Sequence, residues 1–96
     1  MFRVVKRDGK VAEFDLSKIN EAIKKAFDAT KTNYNDQIID FISLKVTADF
    51  NKKIKDDKIS VEDIQDSVEK VLGEAGYGDV AKAYILYRKN REKSVT

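Results

Sequence analysis

The sequence predicts an α+β domain in which a four-helix bundle is capped by a small N-terminal β-hairpin or sheet. Three observations predict it: an Asp8-Gly9 turn flanked by β-forming residues, four later stretches with helical apolar spacing, and no proline to break them.

Phe2 to Arg7 and Lys10 to Phe14 read as two strands around Asp8-Gly9, a hairpin over about residues 2–14. A two-residue turn would set Lys6 opposite Val11 and Val5 opposite Ala12; a three-residue loop would shift every pair, and the sequence leaves that register open. A lone hairpin is marginal in water, so its apolar side is expected to lie on the helices.

Helix one, about 16–29, follows Asp15 as N-cap and places Leu16, Ile19, Ile23, Ala26 and Phe27 on one stripe, with Glu21, Lys24 and Lys25 outside. Asn33, Asn35 and Asp36 then form a turn or cap. Helix two, about 36–53, carries Ile38, Ile39, Phe41, Ile42, Leu44, Val46, Ala48 and Phe50 around much of its circumference and is expected to be the most buried helix. Asp56-Asp57 reads as a charged linker. Helix three, about 61–75, has a full start signal: Ser60 as N-cap, Asp63 in the capping-box position, and Ile59 with Ile64 as a hydrophobic staple. Its inner face is Val61, Ile64, Val68, Val71 and Leu72, and Gly76 is the expected C-cap. Asp79 restarts helix four, about 80–92, in which Val80, Ala81, Ala83 and Tyr84 to Tyr87 precede the basic run Arg88-Lys89-Asn90-Arg91-Glu92-Lys93.

Composition narrows the chemistry. The 96 residues form a single domain, 42% hydrophobic and 38% charged, which suits a folded protein with a heavily solvated surface. Nineteen basic residues against 17 acidic ones leave a net charge of +2, so any anion site is local and nucleic acid is not the expected partner. The absence of Cys and His excludes a thiolate nucleophile, an imidazole base, a disulfide framework and the usual zinc or haem ligands. No apolar run reaches the length of a membrane span and the start lacks the apolar stretch of a signal peptide, so no membrane association and a cytoplasmic location are expected.

Lys6, Arg7 and Lys18 are the candidate phosphate ligands. Lys18 falls near the third position of helix one, where a cation opposes the partial positive charge of the helix N-terminus. That placement becomes sensible if an anion sits over the free N–H groups and the ammonium closes the site from the side. Lys6 and Arg7 start toward opposite faces of a strand but stand at a hairpin tip, where both can converge on a flexible polyphosphate. Three cations match a triphosphate, with Mg2+ offsetting the remaining charge, and Val5, Phe14, Ile19 and a nearby carboxylate could supply a slot for adenine.

Other features read as structure. No Gly-rich loop ends in Lys-Ser or Lys-Thr, and Gly76-Tyr77-Gly78 is helix punctuation. Glu62, Asp63, Asp66 and Glu69 fit a capping residue plus a solvated helix face. Tyr84 is assigned to the core, Tyr87 is left open, and the basic run complements the helix dipole as surface charge, although one member could reach a phosphate.

Four segments, Val4-Val5-Lys6-Arg7-Asp8-Gly9, Phe14 to Ile19, Ile59 to Gln65, and Ala81 to Arg88, together resemble the ATP-cone, in order and over essentially the whole chain. The resemblance implies a nucleotide-binding regulatory domain without catalytic residues, binding ATP or dATP as effector and controlling the overall activity of a ribonucleotide reductase. It implies phosphate ligands at Lys6, Arg7 and Lys18, base recognition near Glu13 and Asp15, a contact near the sugar at Gln65, and a further phosphate ligand at Lys89. Some cones carry the acidic residue one position earlier, where this chain has Ala12. The Ala81 to Arg88 ending looks most like the anaerobic ribonucleoside-triphosphate reductases, and the lack of Cys counts against the zinc-ribbon repressors that also carry a cone. Expected partners are an adenine nucleotide, the catalytic domain of a parent reductase, and another cone in self-association.

Two other classes fit the same residues. A small nucleic-acid-binding module using the basic hairpin would show affinity that falls steeply with salt. A protein-interaction domain with a decayed nucleotide site would keep its partner after loss of all three cations.

Overall fold

The computed structural model describes residues 2–93, with side chains through Lys89. Its elements are β1 (Arg3–Val5), β2 (Val11–Glu13), α1 (Leu16–Ala29), α2 (Asp36–Asn51), β3 (Lys58–Ser60), α3 (Val61–Glu74) and α4 (Gly78–Lys93).

The hairpin uses the three-residue loop. Val5 pairs with Val11, Val4 with Ala12 and Arg3 with Glu13, while the Lys6 N–H donates to the Lys10 carbonyl at 2.7 Å and the Gly9 N–H to the Lys6 carbonyl at 2.9 Å. Gly9 takes φ +86°, the left-handed residue that closes such a loop.

A third strand joins this hairpin. Asp56 and Asp57, expected as a linker, both adopt positive φ, 53° and 58°, and turn the chain between Lys55 and Lys58. Lys58–Ser60 then lies parallel to β1, Val4 beside Ile59 and Val5 beside Ser60, giving a sheet of order β2-β1-β3. Alternation turns Val4, Ala12 and Ile59 inward, and Arg3, Glu13 and Lys58 outward together with Val5 and Val11.

The inner face rests on the helices through three rings. Phe2 and Phe14 lie 4.6 Å apart, and each meets the buried Phe50 of α2 edge-on, at 5.7 and 5.6 Å. Below them one core joins Ile19, Ile23 and Phe27 of α1, Ile39, Ile42 and Val46 of α2, Val68, Val71 and Leu72 of α3, and Val80 and Tyr84 of α4. Ile59 and Ile64, the expected staple, are both buried in it.

The caps follow the sequence. Asp15, Asn35 and Ser60 accept hydrogen bonds from the N–H groups of Ser17, Ile38 and Asp63 at 3.0, 2.9 and 3.1 Å. At the end of α3 the Tyr77 N–H reaches the Leu72 carbonyl and the Gly76 N–H the Gly73 carbonyl. With Ala75 as the cap residue and Gly76 at φ +89°, this is a Schellman ending.

Three apolar assignments need correction. Leu16, expected on the inner stripe of helix one, is 41% exposed, because the first turn of α1 sits at the rim beside the sheet. Phe41 and Leu44 are 54% and 71% exposed, so α2 is not buried all round. Its core face is Ile39, Ile42, Val46 and Phe50 at helical spacing, which leaves residues 41 and 44 pointing away. No helix among the described residues is long and apolar enough to cross a membrane.

Candidate functional site

The parallel pairing of β1 with β3 builds the site. Because Val5 stands beside Ser60 and Ser60 caps α3, the residues that follow each strand emerge side by side: the tip Lys6-Arg7 next to the first turns of α3. Arg7 uses both ends of its guanidinium there. Nη1 donates to Glu62 Oε1 at 3.2 Å and Nη2 to Gln65 Oε1 at 2.9 Å. Gln65, singled out in the sequence, is thus joined directly to Arg7. Glu62, read as part of a solvated face, was missed, because its partner is 55 residues away in the chain.

Lys18 lies on another element, α1. Asp15 is the N-cap, Leu16 and Ser17 follow, and Lys18 is the third helical residue, in a first turn that contains no acid. The Lys18 N–H bonds the Asp15 carbonyl at 3.2 Å, so the turn is formed around the cap. Asp15 holds the Ser17 hydroxyl at 2.6 Å and its N–H at 3.0 Å. Those two bonds, with Lys18 adding to them and slight burial opposing, keep the Asp15 carboxyl below the ordinary aspartate value. The cap carboxylate therefore stays ionised beside the lysine.

The remaining candidates lie on the sheet and on α4. Val5 is half-buried on the outward sheet face, paired with Val11, and Glu13 lies opposite Arg3 on that face. Lys89 is exposed on α4, next to Arg88. Arg88 itself departs from the expected surface charge: only 16% of its side chain is exposed, and it bonds Asp66 at 2.9 Å and Glu69 at 2.7 Å. Burial would lower its pKa, but those carboxylates, Glu69 foremost, raise it. Two of the five acidic residues on α3, Asp66 and Glu69, thus tie α3 to α4.

The expected adenine slot is partly taken by the core. Phe14 is engaged with Phe2 and Phe50, and Ile19 is 9% exposed, so neither is open to a base. The apolar surface that does stand open on these elements is Val11, across from Val5, and Leu16. A groove of about 510 Å³ between α2 and the end of α3, lined by Asn35, Ile38, Phe41, Lys45, Val71 and Tyr77, contains none of the candidate nucleotide residues. Phosphate recognition by exposed cations and helix N–H groups needs no enclosed cavity. Among the described residues no group of three or more His, Cys, Asp or Glu could hold a metal ion.

Comparison with known proteins places this geometry in a family. The chain is 40% identical to a ribonucleoside-diphosphate reductase subunit alpha of Chlamydia pneumoniae, covering 95% of this chain and 9% of that protein. It is 43% identical to a vitamin B12-dependent ribonucleoside-diphosphate reductase of Thermoplasma acidophilum, covering 92% of this chain and 12% of that protein. An anaerobic ribonucleoside-triphosphate reductase of Haemophilus influenzae is 37% identical over 95% of this chain and 13% of its own length. The chain therefore spans about a tenth of the curated relatives it matches. The family model described as the ATP cone domain matches residues 2–93, from the hairpin through all four helices. The match takes in the hairpin, the capped α1 and the β3-α3 junction, and the chain belongs to the ATP cone domain family.

Proposed function

We propose that this domain binds ATP and dATP as allosteric effectors and controls the activity of a parent ribonucleotide reductase. The observation that carries the reading is the first turn of α1, which holds Lys18 and no acid. A helix start built for stability alone would favour a carboxylate there; a lysine suits a triphosphate resting on the N–H groups. Lys6 and Arg7 at the tip complete three cations for three phosphate groups, with Mg2+ bound to the nucleotide. Glu13 and Asp15 serve the base, with Val5 beneath it, Gln65 the sugar, and Lys89 a further phosphate. The catalytic domain of the parent reductase and a second cone are the protein partners of this reading.

The parent reductase is proposed to be the anaerobic ribonucleoside-triphosphate type, on the Ala81 to Arg88 ending. Regulation requires that the nucleotide favour one arrangement of the cone or its contacts over another, because equal affinity shifts nothing.

Isothermal titration with ATP and dATP plus magnesium, with GTP and a short DNA as controls, tests the reading. Saturable adenine-nucleotide binding lost in Lys6→Ala and Lys18→Ala supports it. Binding of DNA with a steep salt dependence, or no binding by a folded domain, overturns it in favour of a nucleic-acid or a protein-interaction module.

A further inference from the structure

We propose that Glu62 sets the nucleotide affinity of the site by competing with phosphate for the Arg7 guanidinium; this rests on the reading of Arg7 as a phosphate ligand. Among the described residues the Arg7 fork meets two unlike acceptors, the charged Glu62 at 3.2 Å and the neutral Gln65 at 2.9 Å. A guanidinium offers five N–H donors in one plane and prefers paired anionic oxygens. Glu62 supplies such an oxygen from within the chain.

The pair is open to exchange. The Arg7 side chain is 35% exposed and that of Glu62 55%, so a ligand can reach the contact. A triphosphate approaching Arg7 would meet Glu62 as a like charge at hydrogen-bond range of the same donors, and binding requires that Glu62 give way. Gln65 carries no charge and can keep its bond while phosphate occupies the rest of the fork. The α3 N-terminus has Ser60 as cap and Asp63 as a second acid in its first turn, so helix capping alone does not call for Glu62 at this position.

The arrangement has a regulatory sense. An internal anion on Arg7 raises the nucleotide concentration at which the site fills, and filling frees Glu62 from the hairpin tip. The contact between the β1–β2 loop and α3 then depends on occupancy, coupling the phosphates to the position of α3.

The test is ATP titration at low and moderate salt of wild type, Glu62→Gln, Arg7→Ala and the double variant, with Asp79→Asn removing an equal charge at the start of α4. Thermal melts check that each folds. Glu62→Gln is expected to tighten ATP binding about two- to fivefold, the range of an exposed ion pair, while Asp79→Asn does not. In the Arg7→Ala background the gain should vanish, which separates competition on Arg7 from general charge repulsion. Unchanged or weaker binding in Glu62→Gln, or a gain that persists without Arg7, overturns the inference while wild-type binding leaves the nucleotide reading intact. Absence of ATP binding in wild type and Glu62→Gln alike overturns both.

Discussion

Asp49 Oδ2 accepts the hydroxyl of the fully buried Ser67 at 2.7 Å, fastening the end of α2 to the middle of α3, while Oδ1 meets Lys70 at 3.1 Å. The Ser67 hydrogen bond first, then Lys70 and Lys52, outweigh burial and hold the Asp49 pKa at about 2. A folded-state value below the unfolded one contributes stability that is complete above about pH 5 and fades as pH falls toward 2. Acid titration of unfolding should show a loss on the order of 1 kcal/mol from this group after solvent screening. Asp49→Asn should flatten that acid limb and leave the slope above pH 5 unchanged.

Gly9 bears the hairpin loop at φ +86°, and a Cβ there would meet nothing within 4 Å. The cost of Gly9→Ala is therefore backbone strain alone, about 1 kcal/mol, or a fall in Tm of about 4–8 °C for a domain of this size. Calorimetry reads the shift, and ATP affinity should fall with it, because Lys6 and Arg7 are set by this loop. An unchanged Tm would mean that the loop can re-form with another residue in the left-handed region.

Phe14→Ala removes the ring that meets both Phe2 and Phe50. The expected loss is about 2–4 kcal/mol, with amide exchange of Val4 and Ala12 accelerating before that of Val68 and Leu72. Uniform acceleration throughout would show that sheet and bundle open as one unit.

Gln65→Leu takes away the acceptor on Arg7 Nη2. ATP and dATP should both bind about two- to tenfold more weakly, since Arg7 loses a neutral support, and the ratio between them should move toward one if the amide also serves the sugar. Parallel titrations separate the two effects. A ratio left unchanged would assign Gln65 to holding Arg7 only.

The sequence carried most of the architecture because its signals were local. Asp15, Asn35 and Ser60 announced three helix starts, and the structure has α1 over Leu16–Ala29 as expected, α2 ending at Asn51 and α3 at Glu74. β3 was illegible for a physical reason: three residues, Lys58–Ser60, are too short to show alternation, and Asp56-Asp57 makes its positive-φ turn without the glycine that usually marks one. Phe41 and Leu44 misled because apolar content does not reveal which side of a helix faces the core. Arg88 was read as surface charge because Asp66 and Glu69 come close only after α3 and α4 pack. At the candidate site the three cations were visible in sequence, whereas Glu62 became visible only once β3 brought α3 beside the hairpin tip.

The central strand of the sheet is the first to be synthesised, and one of its two neighbours is among the later segments. Arg3–Val5 can pair with Val11–Glu13 at once, but its other edge waits for Lys58–Ser60. During translation the hairpin thus remains a marginal, half-finished ribbon until Lys58–Ser60 has emerged, and the long loop closure that completes it should be a slow step of folding. The Lys6-Arg7 tip would then acquire its place against α3 late, after the local helical turns have formed, and variants that weaken β3 should delay the docking of the tip more than the appearance of helix.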